Sequence, residues 1–285
     1  MLELSKYKSE TRPDWCPGCG DFGVLNSLTQ AVANLEIDPK NLLVVSGIGC
    51  SSNLPGFINA YGFHSLHGRA MPVATGAKLA NPELNVVVTG GDGDGYGIGV
   101  GHFIHAMRRN LDITYVVMDN QIYGLTTGQA SPTSIKNFQT KSTPTGTIEE
   151  PLNPISLALV SGATYIARGF SGDPRHLTEL IQNGISHKGF ALIDVFSPCV
   201  TWNKLNTYDF FRHHVAKFNG PDYDTSSFEQ AMSKSRQTEP NIPIGLFYEV
   251  EKPTYEEQDV ALKAGNPVKA KLGVADPKQL FQEFY

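Results

Sequence analysis

The chain has 285 residues, which is long enough for one large α/β domain or for one domain with an extension. Lys and Arg total 23 against 28 Asp and Glu, and the net charge of −5 argues against a general nucleic-acid-binding surface. No stretch approaches the roughly 20 apolar residues of a membrane helix, and the polar residues 1–11 show no signal-peptide pattern. We therefore expect a cytoplasmic protein.

Apolar strands and helices alternate along the chain. In order, the patterns predict helix 24–35, strand 41–45, helix 72–80, strand 85–89, helix 98–109, strand 112–118, helix 154–160, strand 163–167, helix 174–187 and strand 190–196. Asp173-Pro174 is a typical start for the helix that follows it. This alternation predicts an α/β fold with a mostly parallel sheet and helices on both faces.

The regular pattern weakens after Thr201. We therefore expect a first domain over residues 1–201 and a less regular C-terminal extension over residues 202–285. Within the extension, the sequence favours helices at 208–218 and 226–235 and a strand at 243–250. The polar tail, 251–285, is expected to pack on a partner subunit.

A glycine-rich segment follows the predicted strand 85–89. Residues 90–101 contain seven glycines together with Asp92 and Asp94. Glycines let backbone amides approach a phosphate, and a carboxylate beside a phosphate requires a bridging cation. A Rossmann fingerprint fails because no register gives G-x-G-x-x-G. An EF-hand fails because Phe103 stands where the bidentate Glu is needed. A plain glycine-rich turn with solvated aspartates stays open at this point.

Asn120 adds a second oxygen ligand to this segment. It lies 28 residues after Asp92, at the end of the next predicted strand. Because the carboxyl ends of parallel strands share one edge of a sheet, the two side chains can converge on one divalent cation.

These residues resemble the signature of thiamine diphosphate enzymes. That signature is Gly-Asp-Gly, then an Asn about 28 residues later, then a loop carbonyl two residues further on. The matching positions are Gly91-Asp92-Gly93, Asn120 and Ile122. The resemblance implies that Mg²⁺ or Ca²⁺ joins the cofactor's two phosphates to Asp92, Asn120 and the carbonyl group of Ile122.

The four cysteines all lie in glycine- or proline-rich loops. Cys16 and Cys19 form a C-x₂-C pair, but no strand leads into it, so a thioredoxin site is excluded. No His stands at zinc spacing near Cys50 or Cys199. An iron–sulfur cluster with all four thiolates as ligands fits the pattern better.

Six ordered motifs together resemble the β subunits of 2-oxoacid:ferredoxin oxidoreductases. They are Trp15-Cys16-Pro17-Gly18-Cys19-Gly20, Gly47-Ile48-Gly49-Cys50-Ser51, His64-Ser65-Leu66-His67-Gly68-Arg69, Gly91-Asp92-Gly93-Asp94, Asp119-Asn120-Gln121-Ile122-Tyr123-Gly124-Leu125-Thr126-Thr127-Gly128-Gln129 and Ser197-Pro198-Cys199. The resemblance implies CoA-dependent oxidative decarboxylation of a 2-oxoacid to acyl-CoA and CO₂, with reduction of ferredoxin through a 4Fe–4S cluster.

The same resemblance implies which residues border the thiamine diphosphate. They are Ile48, Gly49, Cys50, Ser51, His67, Gly91, Asp92, Gly93, Asp94, Asn120, Ile122, Tyr123, Gly124, Leu125 and Thr126. His67 is expected to contact the diphosphate or to carry a proton. The Glu that activates the cofactor is expected on an α subunit, so this chain alone should be inactive.

Thr127 departs from members specialised for 2-oxoglutarate, which often carry Lys at this position. A Lys can pair with a distal carboxylate and a Thr can do so only weakly, so pyruvate or a broad range of 2-oxoacids is expected. Two other functions stay open on the sequence. One is a non-oxidative thiamine diphosphate-dependent decarboxylase subunit, and the other is a zinc-stabilised interaction protein.

Overall fold

The computed structural model describes residues 4–218, 220–270 and 277–282. The strands are β1 (Leu42–Ser46), β2 (Tyr61–His64), β3 (Asn85–Gly91), β4 (Thr114–Asp119), β5 (Tyr165–Phe170), β6 (Ala191–Phe196), β7 (Val215–Lys217) and β8 (Ile242–Glu249). The α-helices are α1 (Asp21–Asn34), α2 (Ala70–Ala80), α3 (Val100–Arg109), α4 (Pro154–Ser161), α5 (Pro174–Ser186), α6 (Tyr208–His214), α7 (Phe228–Ser235), α8 (Tyr255–Gln258), α9 (Val260–Ala264) and α10 (Pro277–Gln282).

The strands form one sheet in the order β2-β1-β3-β4-β6-β5-β8-β7. Neighbouring strands run parallel throughout, except that β8 runs antiparallel to β5. β3 and β4 are direct neighbours, so the segments that follow them lie at the same edge of the sheet.

Both faces of the sheet are covered, because alternate strand residues enter two separate cores. Val87 packs into the core that contains α1 and α5, whereas Val86 and Val88 enter the core that contains α2, α3 and α4. The three valines are at most 4% exposed. The predicted mostly parallel sheet with helices on both faces is confirmed.

Local sequence accounts for several helix boundaries. The side chains of Asn153 and Asp173 accept hydrogen bonds from the backbone of the first turns of α4 and α5, and each is followed by Pro. Gly162 then ends α4 in the left-handed conformation. The predicted start of the helix at Asp173-Pro174 is confirmed.

Several elements differ from the sequence-based expectation. The predicted helix 208–218 ends at His214, and residues 215–217 form the short strand β7 instead. The edge strand β2 was not predicted, because all four of its residues are exposed and no alternation marks it. The glycine-rich segment continues β3 into a π-helix, Gly93–Ile98, before α3 begins. π-Helical turns are rare and occur frequently at functional sites.

The predicted extension contributes to the sheet. β8 pairs with β5, and the short β7 pairs with β8 at the sheet's edge. Residues 271–276 and 283–285 of the predicted polar tail lie outside the described residues. Within the described ranges, none of the helices has the length and apolar character needed to cross a membrane.

Candidate active site

One cavity brings together all fifteen residues that the resemblance assigns to cofactor binding. It has a volume of about 140 Å³ and lies where β1, β3 and β4 end. Its lining is Ile48, Gly49, Cys50, Ser51, His67, Gly91, Asp92, Gly93, Asp94, Asn120, Ile122, Tyr123, Gly124, Leu125 and Thr126. A larger open groove, of about 970 Å³ and next to the end of α5, contains none of them.

Asp92 lies at the start of the π-helix and is 1% exposed. Burial raises the pKa of its carboxyl group to about 6. Within the described ranges, no Lys, Arg or His forms an ion pair with Asp92, and its bonded partners are hydroxyl and backbone groups. A divalent cation would supply the missing positive charge, so this buried carboxylate fits a metal ligand.

Thr133 connects Asp92 to a second buried carboxyl group, that of Asp119. Its hydroxyl oxygen lies 2.6 Å from Oδ2 of Asp92 and 2.8 Å from Oδ1 of Asp119. A hydroxyl has one proton, so one of the two carboxyl groups must donate. Burial and the neighbouring carboxylates raise the pKa of Asp119 well above its usual range. If Asp119 holds the shared proton, it donates to Thr133, which then donates to Asp92. We call Asp92, Asp119, Asn120 and Thr133 the acidic site.

Asn120 follows β4 directly, as predicted. Its Oδ1 atom accepts a hydrogen bond from the backbone N–H of Ile122 at 3.1 Å. Gln121 between them has a left-handed backbone, with φ of 58°. This tight turn brings Asn120 and Ile122 to the cavity that Asp92 also lines. The three predicted ion ligands are thus gathered at one place.

Asp94 connects two loops of the chain, a role that the sequence did not indicate. Its Oδ1 atom accepts from the backbone N–H groups of Ile48 (2.9 Å) and Gly68 (2.7 Å) and lies 2.8 Å from Nδ1 of His67. Gly47 is required beside it, because a Cβ there would lie 2.1 Å from Oδ2 of Asp94. Asp94 thereby joins two loops that line the cavity.

The contact with Asp94 also orients His67. A carboxylate at Nδ1 favours a proton on that nitrogen, which leaves Nε2 as the acceptor when the ring is neutral. His67 is about one-third exposed and lines the cavity. The neutral ring therefore presents an acceptor to the cavity, which suits the proton-carrying role, whereas a contact with the diphosphate needs a proton on Nε2 as well.

The four cysteines lie in loops that meet beside the cavity, and we call them the cysteine site. Gly20 N–H donates to the Pro198 carbonyl at 3.1 Å, which joins the Cys16–Cys19 turn to the loop of Cys199. Cys50 and Cys199 both approach Gly124. A Cβ at Gly124 would lie 3.6 Å from Sγ of Cys199 and 3.8 Å from Sγ of Cys50.

The four thiols are free, and burial disfavours the ionised forms of Cys19 and Cys50. Burial raises the pKa of Cys50 to about 11 and that of Cys19 above its usual range. Across the described ranges, no three His, Cys, Asp or Glu side chains are arranged to hold a single metal ion. Cysteine thiolates are nevertheless the ligands of iron–sulfur clusters, so the residue type fits.

Asp21 lies beneath the cysteine site and is 1% exposed. Ser197 donates to its Oδ1 atom at 2.7 Å. Burial raises the pKa of Asp21 to about 6, while hydrogen bonds from Ser197 and Cys19 act in the opposite direction. No motif or spacing in the sequence singled out this residue.

Comparisons with known proteins agree with this arrangement. Residues 47–195 match the family model described as the C-terminal TPP-binding domain of thiamine pyrophosphate enzymes. Residues 199–264 match the model for the C-terminal part of the pyruvate ferredoxin oxidoreductase beta subunit. The chain is 47% identical over 283 residues to a 2-oxoacid:ferredoxin oxidoreductase subunit beta from a Sulfolobus species, covering 95% of this chain and 91% of that protein.

The chain belongs to this family of β subunits. It is also 38% identical to the 2-oxoglutarate synthase subunit KorB of Methanocaldococcus jannaschii, covering 90% of this chain and 96% of that protein. A solved structure, 2-oxoglutarate:ferredoxin oxidoreductase from Magnetococcus marinus with 2-oxoglutarate, coenzyme A and succinyl-CoA bound, superposes with a TM-score of 0.91. It is 45% identical and covers 99% of this chain and 96% of that one.

Three residues near the sites of this β subunit were not selected from the sequence: Asp21, Thr133 and Asn203. Thr133 lies 41 residues after Asp92, in a long loop without periodic pattern. Asn203 lies four residues after Cys199, and that proximity was the one available signal. Hydrogen bonds across such distances depend on the path of the loop, which local sequence does not specify.

Proposed function

We propose that this β subunit, with an α subunit, catalyses CoA-dependent oxidative decarboxylation of 2-oxoacids to acyl-CoA and CO₂ and reduces ferredoxin. The cofactors would be thiamine diphosphate, Mg²⁺ or Ca²⁺, and a 4Fe–4S cluster. One observation carries the proposal. Cys50 of the cysteine site lines the cavity that Asp92 and Asn120 also line, and Gly124 in the same lining lies beside Cys50 and Cys199. Electrons released at the cavity would therefore have a short path to the cluster.

Residues of this chain would hold and orient the cofactor. Asp92, Asn120 and the carbonyl of Ile122 would bind the divalent ion, and the glycine-rich backbone would face the phosphates. His67 would accept a proton in transit at Nε2, and with that proton in place Nε2–H would donate to a diphosphate oxygen. When bound, thiamine diphosphate supplies the electron sink for the decarboxylation.

The cavity has the features of half an active site. Its volume of about 140 Å³ is below the roughly 300–1,000 Å³ of typical small-molecule sites. Among the described residues that line it, none is a Glu. Ile48 and Leu125 in its lining are 36% and 54% exposed. An α subunit would cover these side chains and supply the activating Glu, and we expect residues 202–285 to pack on a partner as well.

Substrate range is proposed from Thr127, the position at which 2-oxoglutarate-specialised members often carry Lys. Thr127 is exposed, with a left-handed φ of 75°, and follows Leu125 and Thr126 of the cavity lining. We infer a preference for pyruvate or a broad range of 2-oxoacids.

In the complex, Thr127→Lys should raise the kcat/KM ratio of 2-oxoglutarate to pyruvate. Thr127→Met, which adds bulk without charge, should not. An unchanged ratio in Thr127→Lys would contradict the inference.

The overall function is tested by analysing the anaerobically purified complex of α and β chains. We expect about four iron and four sulfide per β chain, absorbance at about 400 nm typical of such a cluster, and bound Mg²⁺ or Ca²⁺ with thiamine diphosphate. The complex should reduce ferredoxin with 2-oxoacid and CoA, and the β chain alone should not.

Thiamine diphosphate without iron would favour a non-oxidative decarboxylase subunit. Zinc without thiamine diphosphate would favour an interaction protein. The cytoplasmic location stays a prediction.

A further inference from the structure

The segment Cys199–Asn206 contacts the metal-ligand loop, Asn120–Gln129, at three points. Asn203 contacts the start of the loop through a hydrogen bond from Nδ2 to the Asn120 carbonyl, at 3.0 Å. Cys199 lies beside Gly124 in the middle of the loop. Trp202 packs near its end, 3.5 Å from where a Cβ on Gly128 would lie. One segment that carries a cysteine therefore supports the whole loop that carries an ion ligand.

Asn203 makes the polar contact at the start of the loop, and it is 1% exposed. Its Oδ1 atom accepts from the backbone N–H groups of Leu205 (3.1 Å) and Asn206 (3.0 Å). Its Nδ2 atom donates to the Asn120 carbonyl and to Oδ1 of Asn206, at 3.1 Å for the latter. Two donors face one end of the amide and two acceptors face the other, which fixes its orientation. Its own N–H donates to the Cys199 carbonyl at 3.2 Å.

We propose that Asn203 is a positioning residue that ties ion ligand Asn120 to the loop of Cys199, so that each cofactor site stabilises the other. The inference rests on the proposed function, because it uses the assigned ion and cluster ligands. The carbonyl that Asn203 holds opens the turn in which Asn120 and Ile122 present their oxygens. Outer-shell partners of this kind are worth about 10- to 100-fold in metal affinity.

If Asn203 served only to close its own turn, its Nδ2 atom would not matter for Mg²⁺ binding. Closing its own turn needs Oδ1, whereas holding Asn120 needs Nδ2. Asn203→Asp keeps the acceptor for the turn and replaces the donor with an oxygen that faces the Asn120 carbonyl. Asn206→Asp makes the same chemical change in the same turn, and Asn206 reaches Asn120 only through Asn203. It is therefore the matched control.

The first measurement is the affinity of the complex for Mg²⁺ with thiamine diphosphate, after both are removed with a chelator. We expect Asn203→Asp to weaken Mg²⁺ binding about tenfold and Asn206→Asp to weaken it less than about twofold. If Asn203→Asp does not assemble with parental iron content, Asn203→Ser takes its place, since a Ser hydroxyl can still accept within a turn. Parental affinity in the assembled Asn203 variant overturns the proposal.

The second measurement tests whether the two sites are joined, by combining Asn203→Asp with Cys199→Ser. Cys199→Ser should weaken Mg²⁺ binding in the parent complex and weaken it by a smaller factor when Asn203 is already changed. Additive effects overturn the proposal. Failure of the proposed function is distinguishable, because the parent complex itself would then lack iron or fail to bind thiamine diphosphate.

Discussion

The acidic site is held by hydrogen bonds between its side chains, whereas the cysteine site beside it is held mainly by the surrounding backbone. In the acidic site, Thr133 joins Asp92 to Asp119 at 2.6 and 2.8 Å. In the cysteine site, the loops meet through backbone groups, such as Gly20 N–H and the Pro198 carbonyl. The ion ligands are therefore preorganised, while the thiols depend more on the cluster they would bind.

The pKa shifts support the same contrast between the acidic site and the cysteine site. Burial raises the pKa of Cys50 to about 11, so its thiolate needs strong compensation. Burial raises the pKa of Asp92 only to about 6, which leaves it ionised at neutral pH without an ion. Loss of the cluster should accordingly change this protein more than loss of the divalent ion.

The largest effect is expected for Cys50→Ser. A missing thiolate removes a cluster ligand, and the cluster's binding energy contributes to the stability of the loops around it. We expect loss of iron and sulfide, ferredoxin reduction at the background of the assay, and a lower melting temperature of the complex. Elemental analysis and calorimetry measure this. Full iron content in the variant would show that Cys50 is not a ligand.

Asp92→Asn should have a smaller effect than Cys50→Ser, and it should affect Mg²⁺ binding rather than iron content. Replacing a charged ion ligand with a neutral one should weaken Mg²⁺ binding about 100-fold, while iron content stays at the parental value. The ion-free complex should be no less stable than the parent, because the change removes a buried charge. Titration calorimetry and thermal melting test both points. Loss of iron as complete as in Cys50→Ser would break the contrast between the two sites.

Thr133→Val tests the hydrogen bonds that hold the acidic site. Valine keeps the shape of the side chain but removes the hydroxyl between the two carboxyl groups. We expect about tenfold weaker Mg²⁺ binding, measured with thiamine diphosphate present. Thr133→Ser keeps the hydroxyl and should stay near the parental affinity. If serine and valine weaken binding equally, packing rather than hydrogen bonding explains the role of Thr133.

The smallest effect is a pH dependence of ion binding. The ion needs ionised Asp92, whose pKa is about 6 without the ion, so affinity should fall as pH decreases through that value. Mg²⁺ binding should be about fourfold weaker at pH 5.5 than at pH 7.5, because about a quarter of Asp92 is then ionised. Asp92→Asn should flatten this profile. A parent profile that is already flat would contradict the raised pKa of Asp92.

The sequence by itself determined the sheet and the edge at which the site lies. Buried strands with β-branched residues predicted β3 and β4, and because these strands are neighbours in the sheet, Asp92 and Asn120 lie at the same edge. This worked because the periodicity of side-chain burial is local, and because parallel strands bring their carboxyl ends to one edge.

Only the tertiary structure decided how the site is supported. In the folded chain, Thr133 lies between two carboxyl groups and Asp94 joins two loops. Asn203 donates a hydrogen bond to the Asn120 carbonyl. β8 also lies antiparallel beside β5. These contacts link residues far apart in the chain through loops whose course no periodicity encodes. Burial then gives such contacts their strength, because a buried polar group without a partner is costly.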